Sequence, residues 1–322
     1  MQPLNSAPPS SVSRPINGVL LLDKPIGFSS NDALIRSKRL LNAKKAGHTG
    51  TLDPLASGLL PLCFGEATKF SKDLLDADKT YDATLKLGIS TTTDDAEGEV
   101  LKTRPVTCDY TAINAALIAF RGPIMQVPPM YSALKRNGKP LYAYAREGYT
   151  LQREARAVTI HMLECVNYIL GVVASVTIRI TCSKGTYIRA LARDIGESLG
   201  CGAHLSMLRR TRVGELMLTD AVTLDRLSKL DELGRLAYLK PIDALLLKFA
   251  FVDLDTEMTR RFMNGQQLQL VNKFKVREND RVRVYNAGNH QLIGIGRLQR
   301  GVLFPERLIS HSPDINIIPY KL

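Results

Sequence analysis

The chain has 322 residues, 45% of them hydrophobic and 23% charged, enough for one large domain or a large and a small one. A formal net charge of +12 and a pI near 9.5 point to a polyanionic partner, because Lys and Arg bind nucleic acid by displacing its condensed counterions. No apolar run reaches the length of a membrane span, no signal pattern opens the chain, and five cysteines without paired spacing argue against a disulfide framework. A cytoplasmic protein with reduced thiols and no membrane association is expected.

In chain order, residues 1–15, rich in Pro and Ser, are expected to form a disordered tail. Val19–Leu22 is a short buried strand, ended by Asp23-Lys24-Pro25, and Ser29 or Ser30 caps a helix running to about Leu41. Gly47-His48-Thr49-Gly50-Thr51-Leu52-Asp53-Pro54-Leu55-Ala56-Ser57-Gly58 follows. Three glycines and a proline rule out a regular helix and predict a tight loop whose backbone approaches a ligand closely. Pro54 keeps Asp53 out of helical geometry. Taken alone, the Asp-Pro pair also fits an Asx-type turn; a carboxylate so held can act as nucleophile, general base or metal ligand. The spacing G-x-x-x-x-G-K-[ST] of a phosphate cradle is absent.

A helix near Glu66–Leu75 comes next. Tyr81, Ala83, Leu85 and Leu87 then alternate with polar residues as a half-buried strand, and Ser90–Gly98 reads as a polar turn. Ile113, Leu117 and Phe120 mark a helix ended by Gly122-Pro123. Residues 126–156 read as an insertion, with six basic residues against two acidic and Tyr131, Tyr142, Tyr144 and Tyr149 among them, a combination suited to RNA backbone and unpaired bases. Strands are predicted over Val158–Met162 and Val176–Cys182. Ile188, Leu191, Ala192, Ile195 and Leu199 form the apolar face of a helix stopped at Gly200. Leu208 stands beside the basic run Arg209–Arg212, and a helix is predicted over Leu224–Leu239. From about Phe251 the pattern turns to short strands, with a helix over Thr256–Met263 and a hairpin at Asn286-Ala287-Gly288-Asn289; residues 251–322 hold eleven basic and seven acidic residues. Strands with intervening helices in mixed order give an α/β or α+β fold with a mixed, mainly antiparallel sheet.

Four blocks in the same order resemble the bacterial tRNA pseudouridine synthases of the TruB family: Leu22–Ser30, Gly47–Gly58, Tyr81–Leu85 and Cys182–Arg189. The resemblance implies the pseudouridine synthase fold over 16–250, a mobile RNA-binding thumb at 126–156, and a PUA-like RNA-binding domain at 251–322. It also implies isomerisation of uridine 55 in the T-loop of tRNA, without cofactor or metal, by base flipping and an aspartate nucleophile.

That reaction breaks the bond from C1′ to N1, turns the uracil and joins C5 to C1′, so the base must leave its stack. By the resemblance, Asp53 is the nucleophile. Sequence leaves open whether it adds to C6, attacks C1′ or abstracts a sugar proton. Tyr81 is the stacking platform and helps remove the C5 proton, and Arg189 pairs with Asp53. Tyr187 and Leu208 line the base pocket, His48 enters the T-loop, and Lys24 contacts phosphate or buttresses the loop. The basic insertion implies a monomer that grips the T-stem-loop with no guide RNA or protein partner. A catalytically silent RNA-binding protein on the same scaffold is the competing reading.

Overall fold

A computed structural model describes residues 15–171, 173–270 and 280–310. The expected tail at 1–15, apart from Pro15, therefore lies outside the described residues. The large sheet is built on β1 (Gly18–Lys24), β2 (Ala46–His48), β3 (Ala56–Phe64), β4 (Lys79–Leu87), β5 (Gly122–Gln126), β6 (Arg156–Ile169), β7 (Ser175–Cys182) and β8 (Ala203–Val213). It has eleven strands, and its main path runs from the strand Val222–Thr223 through β1, β3, β8, β4, β7, β6 and β5. Pairing is antiparallel along this path except between β3 and β8 and between β1 and Val222–Thr223. The mixed, mainly antiparallel sheet matches the sequence expectation.

β1 shows why its run is apolar at every position. Leu20 and Leu22 enter one core with Leu60, Leu62 and Phe64, while Val19 and Leu21 enter a second core on the opposite face. A strand covered on both sides has no polar face to display. β4 instead alternates, with Tyr81, Ala83, Leu85 and Leu87 buried and the residues between them half-exposed.

Helix α1 (Ser30–Leu40) begins with a capping box in which Ser29 and Asp32 satisfy each other's backbone N–H. Helix α2 (Tyr110–Ala119) is capped by Asp109, and α3 (Ile188–Ser198) lies on the sheet with Leu191, Ala192 and Ile195 buried. α3 packs so closely on β8 that a Cβ at Gly196 would stand 2.1 Å from the Ala203 nitrogen.

Two helical expectations change. Residues 65–75 are a 3₁₀ helix, Gly65–Phe70, followed by a short α-helix, Ser71–Leu75. The helix expected over 224–239 is two short ones, Leu224–Lys229 and Glu232–Leu236, because Asp231 caps a new start by accepting from the Gly234 N–H. Leu239–Lys240 then pairs with β1. Gly122-Pro123 ends α2 as expected but opens β5, an edge strand where the missing proline N–H is tolerated.

The C-terminal part is a five-stranded sheet of β9 (Phe251–Leu254), β10 (Leu268–Gln269), β11 (Arg281–Asn286), β12 (Gln291–Gln299) and β13 (Val302–Leu308), with helix α4 (Thr256–Met263) against it. Tyr285, Leu292, Ile295 and Ile309 leave this sheet to join the second core, beside Val19, Leu21, Leu59 and Phe70. The Tyr285 hydroxyl donates to Asp243 at 2.7 Å, and the Ser310 N–H to Glu66 at 2.6 Å. Among the described residues, no helix is long and apolar enough to cross a membrane.

Candidate active site

The glycine-bordered loop sits where β3, β8 and β4 run side by side. Its shape is set by backbone bonds: Gly27 N–H to the Pro54 carbonyl at 2.9 Å, Thr49 N–H to Pro61 at 3.1 Å, and Ala56 N–H to Asp53 at 3.0 Å. The buried Ser30 hydroxyl accepts from the Leu52 N–H at 2.7 Å and lies 3.0 Å from the Leu52 carbonyl. Gly58 has φ +99°, and a Cβ there would stand 2.3 Å from the Arg210 carbonyl oxygen, so β3 approaches β8 closely only because this residue has no side chain.

Asp53 projects from this loop with its side chain 42% exposed, and its carboxylate meets the Arg189 guanidinium at 2.9 Å. Arg189, at the start of α3, is itself buried. It also meets Asp95 at 3.3 Å and donates to the Tyr131 carbonyl at 2.7 Å and the Thr93 carbonyl at 3.3 Å. Asp95 is in turn fixed by the Thr93 hydroxyl and by the Glu97 N–H at 3.0 Å. The surrounding protein strips water from Asp53 and pushes its pKa above the usual carboxylate value; Arg189 opposes this, Asp95 reinforces it, and Lys24 opposes it more weakly.

Tyr81 is buried on β4, directly across from Arg210 on β8, and burial raises its hydroxyl pKa while Arg210 lowers it. Tyr187 precedes α3 and has no side-chain cap of its own. Its backbone is held by the buried Gln126, which accepts from the Tyr187 N–H at 2.8 Å and donates to the Tyr187 carbonyl at 3.1 Å. Tyr81, Lys24, Tyr187 and Arg189 are thus each within electrostatic reach of Asp53.

Lys24 is fully buried and donates to the Pro25 carbonyl at 2.8 Å and the Phe28 carbonyl at 2.6 Å. Burial lowers its pKa to about 8. Both contacts are to backbone carbonyls of the turn that follows β1. A cleft of about 880 Å³ opens beside it, with Phe28, Arg36, Arg39 and Arg209 on the wall. His48 ends β2 half-buried, its Nδ1 without a hydrogen-bond partner among the described residues, and burial and Arg210 both lower its pKa. Leu208 is buried on β8 opposite Ala56 and Ala83, on the face it shares with Arg210.

Three residues of this site escape the sequence reading. Asp95 falls in a polar turn with no periodic signal. Gln126 is one amide at an edge-strand end. Arg210 stands in a basic run, and only the alternation of β8, which buries Leu208 and Arg210, sets it apart from Arg209 and Arg212. The segment 126–156 leaves β5 at Gln126 and returns to β6 at Arg156, its direct register partner. It carries the two-residue strands Lys135–Arg136 and Lys139–Pro140 and a helix Leu141–Arg146, with Tyr142 and Tyr149 exposed.

Residues 38–188 match the family profile described as TruB family pseudouridylate synthase (N terminal domain). Residues 189–247 match the tRNA pseudouridylate synthase B C-terminal domain, and 250–309 match Pseudouridine synthase II TruB, C-terminal. A protein of Burkholderia lata named tRNA pseudouridine synthase B is 63% identical over 92% of this chain and 91% of its own length. The chain belongs to the TruB family. A relative of the same name from Cupriavidus pinatubonensis is 56% identical over 95% of this chain and 98% of its own. Among solved structures, the archaeal box H/ACA sRNP Nop10-Cbf5 complex contains a chain that matches with a TM-score of 0.67 at 24% identity, covering 91% of this chain and 86% of that one. A Cbf5-Nop10-Gar1 complex matches at 0.67 and 26%, covering 90% and 84%. These two matches carry the pseudouridine synthase fold.

Proposed function

We propose that this TruB-family tRNA pseudouridine synthase acts on the uridine at position 55 in the T-loop, with Asp53 as its nucleophile. The observation that carries the reading is the Asp53–Arg189–Asp95 chain of charges: one partly exposed carboxylate, aligned by an arginine that is itself clamped from behind. Arg189 aims Asp53 and favours its ionised form against burial, which favours the protonated one. The bond changes are an internal rearrangement, so no redox or nucleotide cofactor is required.

Tyr81 stacks on the flipped uracil, Tyr187 and Leu208 close the base pocket, His48 wedges into the T-loop, and Lys24 stiffens the loop from beneath. Flipping the base out of a folded loop costs a few kcal/mol, and charge and stacking from the basic segment 126–156 offset it. In this reading 16–250 is the catalytic domain, 126–156 its thumb, and 251–322 a PUA-like RNA-binding domain. The enzyme works in the cytoplasm as a monomer, without guide RNA or protein partner, because a single chain carries both the acid and the grip.

The test is release of tritium to water from tRNA labelled at uracil C5, with purified chain and nothing added. Turnover that Asp53→Asn abolishes supports the assignment. Equal release by wild type and Asp53→Asn would leave Asp53 without a role, and no release by either would favour the silent RNA-binding protein.

A further inference from the structure

Two arginines are buried in this site, and only one is neutralised. Arg189 lies between Asp53 and Asp95. Arg210 is 1% exposed and has no carboxylate partner among the described residues. Its Nε donates to the Leu59 carbonyl at 2.7 Å and its Nη2 to the Gly50 carbonyl at 3.2 Å. Tyr81 is its direct register partner on β4 and is buried as well, so the guanidinium and the Tyr81 side chain lie side by side.

A buried cation without a counter-ion is costly, and two carbonyl dipoles offset only part of that cost. Its charge is felt by its neighbours: it depresses the pKa values of His48 and Lys79 and is the strongest influence opposing burial at Tyr81. Among the groups it acts on, Tyr81 is one that can carry negative charge, and there Arg210 offsets part of what burial costs the phenolate.

We propose that Arg210 is a positioning residue that stabilises the Tyr81 phenolate and so makes Tyr81 a competent base for the C5 proton. This rests on the isomerase reading above. The phenol first loses its proton to water. Once C5 is joined to C1′, the phenolate takes the C5 proton, and the electron pair of that C–H bond restores the C5–C6 double bond. N1 takes a proton from water. The net change is one proton moved from C5 to N1, with no oxidant or reductant.

A double-mutant cycle tests this, with single-turnover tritium release read for wild type, Arg210→Met, Tyr81→Phe and the double variant. Arg210→Met is expected to slow release about 100-fold, the scale for removing one charge-stabilising group from a site. The double variant is expected to be no slower than Tyr81→Phe, because Arg210 acts through the hydroxyl. Read as pseudouridine formed, tRNA deuterated at C5 should slow Arg210→Met more than wild type relative to unlabelled tRNA, and raising the pH should recover part of its rate.

Wild-type release by Arg210→Met overturns the proposal. So do losses that multiply in the double variant, or slowing without an added isotope effect, either of which makes Arg210 a strut for the loop. If Arg210→Met fails to fold, Arg210→Lys decides. It keeps the charge, so it should be active at neutral pH and lose activity at alkaline pH as the buried amine deprotonates; a wild-type alkaline limb overturns the proposal. If wild type itself releases no tritium, the isomerase reading has failed, a result distinct from all of these.

Discussion

Replacing Gln126 by Leu would test how the root of the 126–156 segment controls the acid. The side chains are similar in volume, so the change removes hydrogen bonds with little loss of packing. The Tyr187 carbonyl keeps its helical bond from the Leu191 N–H at 3.0 Å, so only the Tyr187 N–H is stranded. An unsatisfied buried N–H costs about 1–3 kcal/mol, and the second lost bond adds about 1 kcal/mol, giving about 2–4 kcal/mol. At about 2–4 °C per kcal/mol for a unit of this size, Tm should fall by at least about 4 °C. Tyr187 opens α3, and Arg189 lies two residues on, so a loosened end misaligns Asp53. A displacement of about 1 Å can cost about 100-fold in rate, and at least about a tenfold drop in single-turnover rate is expected. Affinity for tRNA should change little, because Gln126 is buried. Differential scanning fluorimetry and single-turnover kinetics measure the two arms. A Tm within about 1 °C of wild type would refute the claim that this amide completes the helix start.

Asp53→Asn should leave Tm at pH 7 equal or higher. The folded-state pKa of Asp53 is raised, so its ionisation opposes folding at neutral pH, and the difference should vanish once both states are protonated below the unfolded value. By the same sign, wild-type activity should fall on acidification at a midpoint above the ordinary carboxylate value of 3.8, read from the pH–rate profile. Gly58→Ala should yield little folded protein, because the new Cβ meets the Arg210 carbonyl at 2.3 Å and left-handed backbone alone costs about 1–2 kcal/mol; a soluble variant with wild-type Tm would contradict the close approach. Affinity for tRNA should fall steeply between 50 and 200 mM salt, by about a thousandfold if about six phosphates are neutralised; a flat response in filter binding would contradict the charge reading.

Much of this was legible in the residues. β4 and α3 are half-buried, so their periodicity survives in the sequence, and Ser29 marks where α1 begins. β8 carries a weak strand signal because arginines interrupt its apolar positions, and one of them turns inward. The break between the helices at 224–229 and 232–236 is a local capping competition that apolar spacing does not register. Asp53 was visible because a loop that needs Gly50 and Gly58 leaves a strong signature. Asp95 and Gln126 were not, because what defines each is a partner roughly sixty to ninety residues away, joined to it only when the sheet closes.

The second core has a mechanical meaning. Tyr285, Leu292 and Ile295 share one apolar interior with Val19, Leu21 and Leu59, so the C-terminal sheet is welded to the back of the large one instead of being hung from a hinge. The span between its surface and Asp53 is then fixed when the chain folds, like the jaws of a locked caliper. Under the RNA-binding role proposed for 251–322, an RNA long enough to touch both is gauged by its length, and a stem-loop too short to reach the far jaw fills the cleft but holds on less firmly.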